Sequence, residues 1–247
     1  MIKPKILLFD LETSPNLSYT WGKWEQNVIA FKKEWELLSV AYSWLGEKKV
    51  YVKTRMDFKD KTDKSLTQFL HGLLDEADVV IAHNGDEFDN KKSNAKFIEH
   101  GLGPVSTYQK IDTKKIAKKY FKFNSNSLDD LGNLLEVGRK EKTGGFDLWL
   151  DCMAGDQKAW KQMADYNKQD VVLLKKVYLK LRPFAENHPN IALLREVPNG
   201  CPKCGHLKLE FKGYRYTSTS KYRRYVCKNC GAYCRGKTSE KFKTEYR

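Results

Sequence analysis

No run in this sequence approaches the ~20 apolar residues that a membrane-crossing helix needs, and none has the basic amphipathic character of a surface anchor. A membrane partner is therefore not expected. The opening Met1-Ile2-Lys3-Pro4-Lys5-Ile6 lacks the apolar core of a secretory signal, so a cytoplasmic setting is expected. Disulfide frameworks do not persist in that setting. The cysteines are also poorly spread for one: Cys152 stands alone, while Cys201, Cys204, Cys227, Cys230 and Cys234 crowd the last fifth of the chain. Internal repeats and low-complexity tracts are missing too. Acidic residues are in deficit, 31 Asp/Glu against 45 Lys/Arg, for a net charge of +14. With membranes set aside, that excess favours a nucleic acid as the polyanionic partner.

What is present suits a folded enzyme-sized body with a small appendage. The chain has 247 residues, 40% of them hydrophobic, enough for a sizeable core. Patterning predicts strands at Ile6–Glu12, Leu37–Leu45, Val50–Thr54 and Asp78–His83. It predicts helices at Ser65–Glu76, Asn90–Glu99, Lys114–Phe121, Leu128–Leu135, Gln157–Met163 and Asp165–Leu181. This is an α/β order. A long aromatic connection with Trp21 and Trp24 runs to about Glu36, unusual for a structureless loop. Arg182-Pro183 ends the last helix, so residues 1–185 form a body, 186–199 a linker and 200–247 a terminal module.

The first strand carries the informative anomaly. Asp10 and Glu12 are two apart, so both leave the same face of a buried strand. At about 4 Å and an effective dielectric near 20, two such charges repel by roughly 4 kcal/mol. A proton, a basic partner or a divalent cation must offset that. Three further stretches bear on the choice. In His83-Asn84-Gly85-Asp86-Glu87-Phe88-Asp89 a strand ends, a glycine allows a sharp turn and acids open a helix. Acids also favour helix N-termini without any ligand. Tyr166 and Asp170 share a helix face that continues inward through Leu173, Leu174 and Val177, and a buried Asp needs a partner. A tyrosine hydroxyl would serve for packing alone. Asp112 fits an N-cap better than a ligand.

Taken together, Asp10-x-Glu12, Asn84-Gly85-x-x-Phe88-Asp89 and Tyr166-x-x-x-Asp170 resemble the three motifs of DEDD 3′→5′ exonucleases of the tyrosine subtype (DEDDy). They are similar to the proofreading domains of family-B DNA polymerases and to free-standing ribonuclease-H-like relatives, several of them viral. The resemblance covers roughly residues 3 to 182. It implies a ribonuclease-H-like mixed sheet flanked by helices, and a metal-dependent exonuclease that acts on nucleic acid, DNA favoured over RNA. It implies that Asp10, Glu12, Asp89 and Asp170 hold two Mg²⁺ or Mn²⁺ ions and that Tyr166 positions the attacking water. Hard cations of this kind take carboxylate oxygens, and two of them suit phosphodiester hydrolysis. Asn84 would hold the substrate strand or a neighbouring acid. Lys91 reads either as a phosphate contact or as an exposed helix charge, and Trp21 either stacks on an unpaired base or caps the core. A structure-specific endonuclease or ribonuclease on the same fold, and a non-catalytic replication protein, are the alternatives.

The terminal module has its own signature. Cys201-x-x-Cys204-Gly205 and Cys227-x-x-Cys230-Gly231 match a Cys₄ structural Zn²⁺ site of the zinc-ribbon type. Cys234 and His206 are surplus and could substitute as ligands. Hairpin strands are expected at Lys208–Lys212 and Lys221–Val226. From residue 201 onward there are 13 Lys/Arg against three Asp/Glu, so this module carries +10 of the net charge. Tyr222, Arg223, Arg224 and Tyr225 interleave bases with aromatics, which suits phosphate contact plus stacking, or simply a solvated basic face.

Overall fold

The computed structural model describes residues 4–24 and 27–240. Five strands form a mixed sheet in the order β5-β4-β1-β6-β7. They are β1 (Ile6–Thr13), β4 (Leu37–Trp44), β5 (Tyr51–Thr54), β6 (Val79–Ala82) and β7 (Gln109–Asp112). β4 runs antiparallel to β1, and β5 antiparallel to β4; β6 pairs parallel with β1, and β7 parallel with β6. β1 thus sits at the centre, buried on both faces, which is why it reads as an almost continuous apolar run.

Period-two alternation sorts the two cores. Leu7, Phe9 and Leu11 of β1 pack with Leu66, Leu70, Leu73 and Leu74 of α1 (Asp63–Asp75) and with Phe97 of α2 (Asp89–Glu99). Burying each of those leucines contributes roughly 1.5–3 kcal/mol. Ile6 and Leu8 face the other way. They meet α3 (Thr113–Tyr120), α4 (Leu128–Leu134) and the 25-residue α6 (Gln157–Leu181). Asp10 and Glu12 continue the Ile6/Leu8 row, so they share the α6 face. A third cluster joins Leu38 of β4 to Leu148 and Cys152 of α5 (Asp147–Ala154) and to Trp160 and Met163 of α6. Cys152 lies wholly inside it, and burial pushes its thiol up to about 11, so it behaves as a packed apolar group.

Several elements differ from the sequence expectation. The aromatic connection contains a two-stranded hairpin, β2 (Leu17–Tyr19) with β3 (Ala30–Lys33), rather than a plain loop. All seven of its strand residues are exposed, so no buried face imposed an alternating signal. β7 and α5 were not expected; β7 has only Ile111 as a buried apolar residue. The two helices expected at 157–163 and 165–181 are one continuous α6, since neither Gly nor Pro interrupts Met163-Ala164-Asp165. Asp112 does cap α3, accepting from Lys114 N at 2.9 Å and Lys115 N at 3.2 Å. Gly132 of α4 is there for close approach. A Cβ would stand 2.6 Å from both the Gly138 carbonyl oxygen and Leu173 Cδ1.

Beyond α6 the chain does not run free. α7 (Ile191–Leu194) lies within the stretch expected as linker, and Ile191 is buried in the core on the α6 side of the sheet. Ile191 N donates to Pro202 O at 2.8 Å, and Lys203 Nζ donates to the carbonyls of Ala185 and Glu186. A three-stranded sheet follows, β8 (Leu209–Tyr216), β9 (Lys221–Cys227) and β10 (Tyr233–Ser239), in the order β10-β9-β8. β10 adds a strand to the expected hairpin.

Candidate active site and four-cysteine centre

Carboxylate oxygens of Asp10, Glu12 and Asp170 lie within 4.8 Å of one another. β1 supplies the first two from its α6 face, and α6 supplies the third. Oxygens that close can share one hard cation, whose oxygen bonds run from about 2.0 Å for Mg²⁺ to about 2.6 Å for Ca²⁺. Asp170 is 1% exposed, and its Oδ1 has no hydrogen-bond partner among the described residues. A buried carboxylate oxygen left unpaired among other acids is costly, so the donor set fits a hard divalent cation. Burial and neighbouring carboxylates push all four predicted acids upward. Asp10 is raised well above the usual carboxylate range by burial, then by Asp89 and Glu12. Glu12 rises to about 8 through burial, then Asp170. Asp170 is also raised, burial outweighing its basic neighbour.

Asp89 stands beside this group and is not one of the converging three. It opens α2, which packs on the opposite face of the sheet, and its Oδ1 accepts from Leu11 N at 3.2 Å. Its influence still reaches Asp10, and burial raises its own pKa to about 7. The turn that delivers Asp89 depends on two residues. Asn84 takes a left-handed φ of 67°, which Asn tolerates. Gly85 is needed because a Cβ there would sit 2.4 Å from Ala82 Cβ. The expectation that Gly85 supplies the turn's special φ is thus shifted one residue: Asn84 makes the turn and donates its N–H to Asp112 Oδ1 at 3.0 Å.

Two residues at the site had not been anticipated. Lys140 Nζ pairs with Asp170 Oδ2 at 2.7 Å and donates to Tyr166 Oη at 2.9 Å. It comes from the connection between α4 and α5, with no periodic pattern to flag it. Asn167 is fully buried; its Nδ2 donates to Asp10 Oδ2 at 2.7 Å, while its Oδ1 accepts from Ser39 Oγ of β4 at 2.8 Å. Its position three residues before Asp170, on the same helix face, was the available signal. Tyr166 itself packs edge-on against Trp149, and burial pushes its hydroxyl up to about 12, so it stays a neutral phenol.

The remaining predicted contacts are dispersed. Trp21 is 87% exposed in the β2–β3 connection, so it does not cap the core. Lys91 pairs with Glu87 at 2.5 Å as an exposed i,i+4 pair. Arg223 and Arg224 are neighbours in β9 and therefore leave opposite faces of the sheet. Arg223 pairs with Glu240 at 2.7 Å, and Arg224 donates to Lys212 O at 2.9 and 3.0 Å. Tyr222 lies under the Arg235 guanidinium at 4.1 Å, and Tyr225 packs against Phe211.

The sulfurs of Cys201, Cys204, Cys227 and Cys230 form one cluster, with Cys201–Cys230 at 3.7 Å and Cys204–Cys227 at 3.6 Å. The edge of a tetrahedron with 2.3 Å Zn–S bonds is about 3.8 Å, whereas a disulfide brings sulfurs to about 2.05 Å. The donor set therefore fits a structural Zn²⁺. Neither surplus residue joins it: Cys234 lies in β10, and His206 Nδ1 accepts from Lys208 N at 3.1 Å.

Residues 24–182 match the RNase_H superfamily family model. The chain belongs to the RNase_H superfamily. The matched segment takes in β4, β5, β6, β7 and all of α6, which carries Asp170, while β1 with Asp10 and Glu12 precedes it. Among solved structures, the chain is similar to the family B DNA polymerase from the hyperthermophilic archaeon Pyrobaculum calidifontis, with a TM-score of 0.53 and 13% identity. The likeness covers 89% of this chain but 32% of the polymerase, so the chain spans about a third of that protein's length. At that identity it speaks for the fold. No curated protein matches the sequence. No helix among the described residues is long and apolar enough to cross a membrane.

Proposed function

We propose that this RNase_H superfamily member is a metal-dependent 3′→5′ exonuclease that hydrolyses phosphodiester bonds, DNA favoured, with Mg²⁺ or Mn²⁺ as the working ion. The observation that carries the proposal is the convergence of Asp10, Glu12 and Asp170, with Asp170 Oδ1 left unpaired. When bound, divalent ions would lower the pKa of an attacking water and neutralise charge on the leaving oxygen. The chain's own residues prepare that chemistry. Asn167, held by Ser39, fixes the Asp10 carboxylate in one orientation. Asp89 completes the acidic set from the far side of β1. The neutral Tyr166 hydroxyl suits orienting a water rather than deprotonating it. Lys140 holds Asp170 and Tyr166 together and supplies positive charge where the substrate phosphate would arrive.

In this reading residues 1–185 form the nuclease body, 186–199 a linker folded onto it through Ile191, and 200–247 a basic zinc-ribbon module that contacts nucleic acid with Tyr222 and Arg224 on one face of β9 or Arg223 and Tyr225 on the other. The test uses DNA and RNA oligonucleotides labelled at the 5′ end and incubated with Mg²⁺, Mn²⁺ or neither. A ladder shortening from the 3′ end, absent without metal and abolished in Asp10→Asn, is expected. Internal cuts in a substrate with a blocked 3′ end would replace the proposal with an endonuclease. No cleavage with any ion would leave a binding protein.

A further inference from the structure

Between residues 113 and 123 the chain places five lysines and no acid: Lys114, Lys115, Lys118, Lys119 and Lys122. Four of them lie on α3. This works against the helix itself. Cations in the first turn oppose the macrodipole, and like charges at i,i+4 cost a few tenths of a kcal/mol per pair. Lys114 and Lys115 are in that first turn, and Lys114/Lys118 and Lys115/Lys119 are such pairs. Among the described residues, only Lys115 has an acidic partner, Asp86 at 2.7 Å.

The helix also has a definite place between the two functional centres. Lys114 lines a cleft of about 260 Å³ together with Asp10, His83 and Lys140, which is one wall of the acidic site. Lys115 and Lys119 line a second cleft of about 230 Å³, shared with Lys110, Ala185 and His188 and with the acids Asp86, which Lys115 pairs, and Asp112, which caps α3. Ala185 is the residue whose carbonyl accepts from Lys203, inside the first cysteine knuckle. The lysines of this one helix therefore border both the acidic cleft and the cleft at the base of the cysteine module.

We infer that the lysine face of α3 is a backbone-binding tract that carries a single nucleic-acid strand between the acidic cleft and the cysteine module. The inference rests on the nuclease reading for its direction, since the strand's 3′ end would occupy the acidic cleft. Contact is to phosphates, so it is independent of base sequence. A strand of a few nucleotides fills only the cleft, and a longer one also lies along α3.

The test measures binding rather than cleavage. In an Asp10→Asn background without added divalent ion, fluorescein-labelled 4- and 20-nucleotide single strands are titrated by anisotropy over a range of KCl concentrations. Each single-strand phosphate that no longer meets a lysine lowers the slope of log affinity against log salt by about 0.7. Lys115→Gln/Lys118→Gln/Lys119→Gln should therefore reduce the 20-mer slope by about 2 and leave the 4-mer nearly unchanged. A control of equal charge loss, Lys48→Gln/Lys49→Gln/Lys64→Gln, should change neither strand's slope by more than about 0.7, the share of a single phosphate. Circular dichroism melts establish that both triple variants are folded. An unchanged 20-mer slope, or equal losses in the tract and control variants, overturns the inference. The two readings fail separately. A chain that cuts DNA while its binding ignores these lysines keeps the nuclease and loses the tract, and one that binds through them but never cuts does the reverse.

Discussion

Lys140 pairs with the most buried acid of the site, and replacing it with Met should expose how much of the cluster's charge it offsets. Its ammonium lies 2.7 Å from Asp170 Oδ2, with side-chain exposures of 32% and 1%. Breaking a fully buried ion pair by removing one partner costs roughly 3–5 kcal/mol. Lys140 is about one-third solvated, so screening reduces the expected loss to about 2–3 kcal/mol. For a chain of this size each kcal/mol shifts the melting temperature by about 2–4 °C, which places the drop at about 4–12 °C. Protonation limits the loss, because Asp170 already has a raised pKa and takes up a proton when its partner is gone. The effect should therefore be largest near pH 8, where the carboxylates are most ionised, and should shrink at pH 5. Mn²⁺ or Mg²⁺, binding the native state alone, should stabilise Lys140→Met more than the parent. The assay is thermal unfolding without divalent ions at both pH values, then with either ion. A variant that melts within 1 °C of the parent at pH 8, with the same increment from metal, would show that Lys140 does not neutralise this cluster.

Buried groups in the acidic cleft and in the cysteine module carry further outcomes. His83 is pushed down to about 4, chiefly by burial, with Nε2 3.0 Å from Asn126 O and Nδ1 2.9 Å from Thr113 Oγ1. Its folded pKa lies below the unfolded value of about 6.5, so its share of stability is full above pH 6.5 and lost as pH falls toward 4. The raised carboxylates act in the opposite sense, weakening the metal-free fold as pH rises from about 4.5 toward 8. The difference between parent and His83→Gln in urea unfolding at stepped pH isolates the histidine, and a difference that stays flat from pH 7 to 4 would refute it. For the terminal module, thiol modification should release about one Zn²⁺ per chain, and Cys204→Ser should lower that yield while the main body still unfolds cooperatively. Recovery of disulfides in place of zinc would contradict the four-sulfur geometry.

The sequence by itself determined whatever depends on short-range periodicity. The same-face placement of Asp10 and Glu12 follows from the two-residue repeat of a strand. Tyr166 with Asp170 follows from the helical repeat, and the two Cys-x-x-Cys knuckles from their spacing. The α/β order was legible because β1, β4 and β6 are buried and α1 and α6 are amphipathic. The tertiary structure alone decided which distant groups meet. Lys140 reaches Asp170 from a connection without periodicity, and Asn167 links Asp10 to Ser39 across 128 and 157 residues of chain. Asp89 arrives from the opposite face of the sheet and so stands beside the three converging acids rather than among them. β7 and the β2–β3 hairpin escaped notice for a related reason. Alternation marks a strand only when one of its faces is buried, and those strands lie at an edge or in solvent.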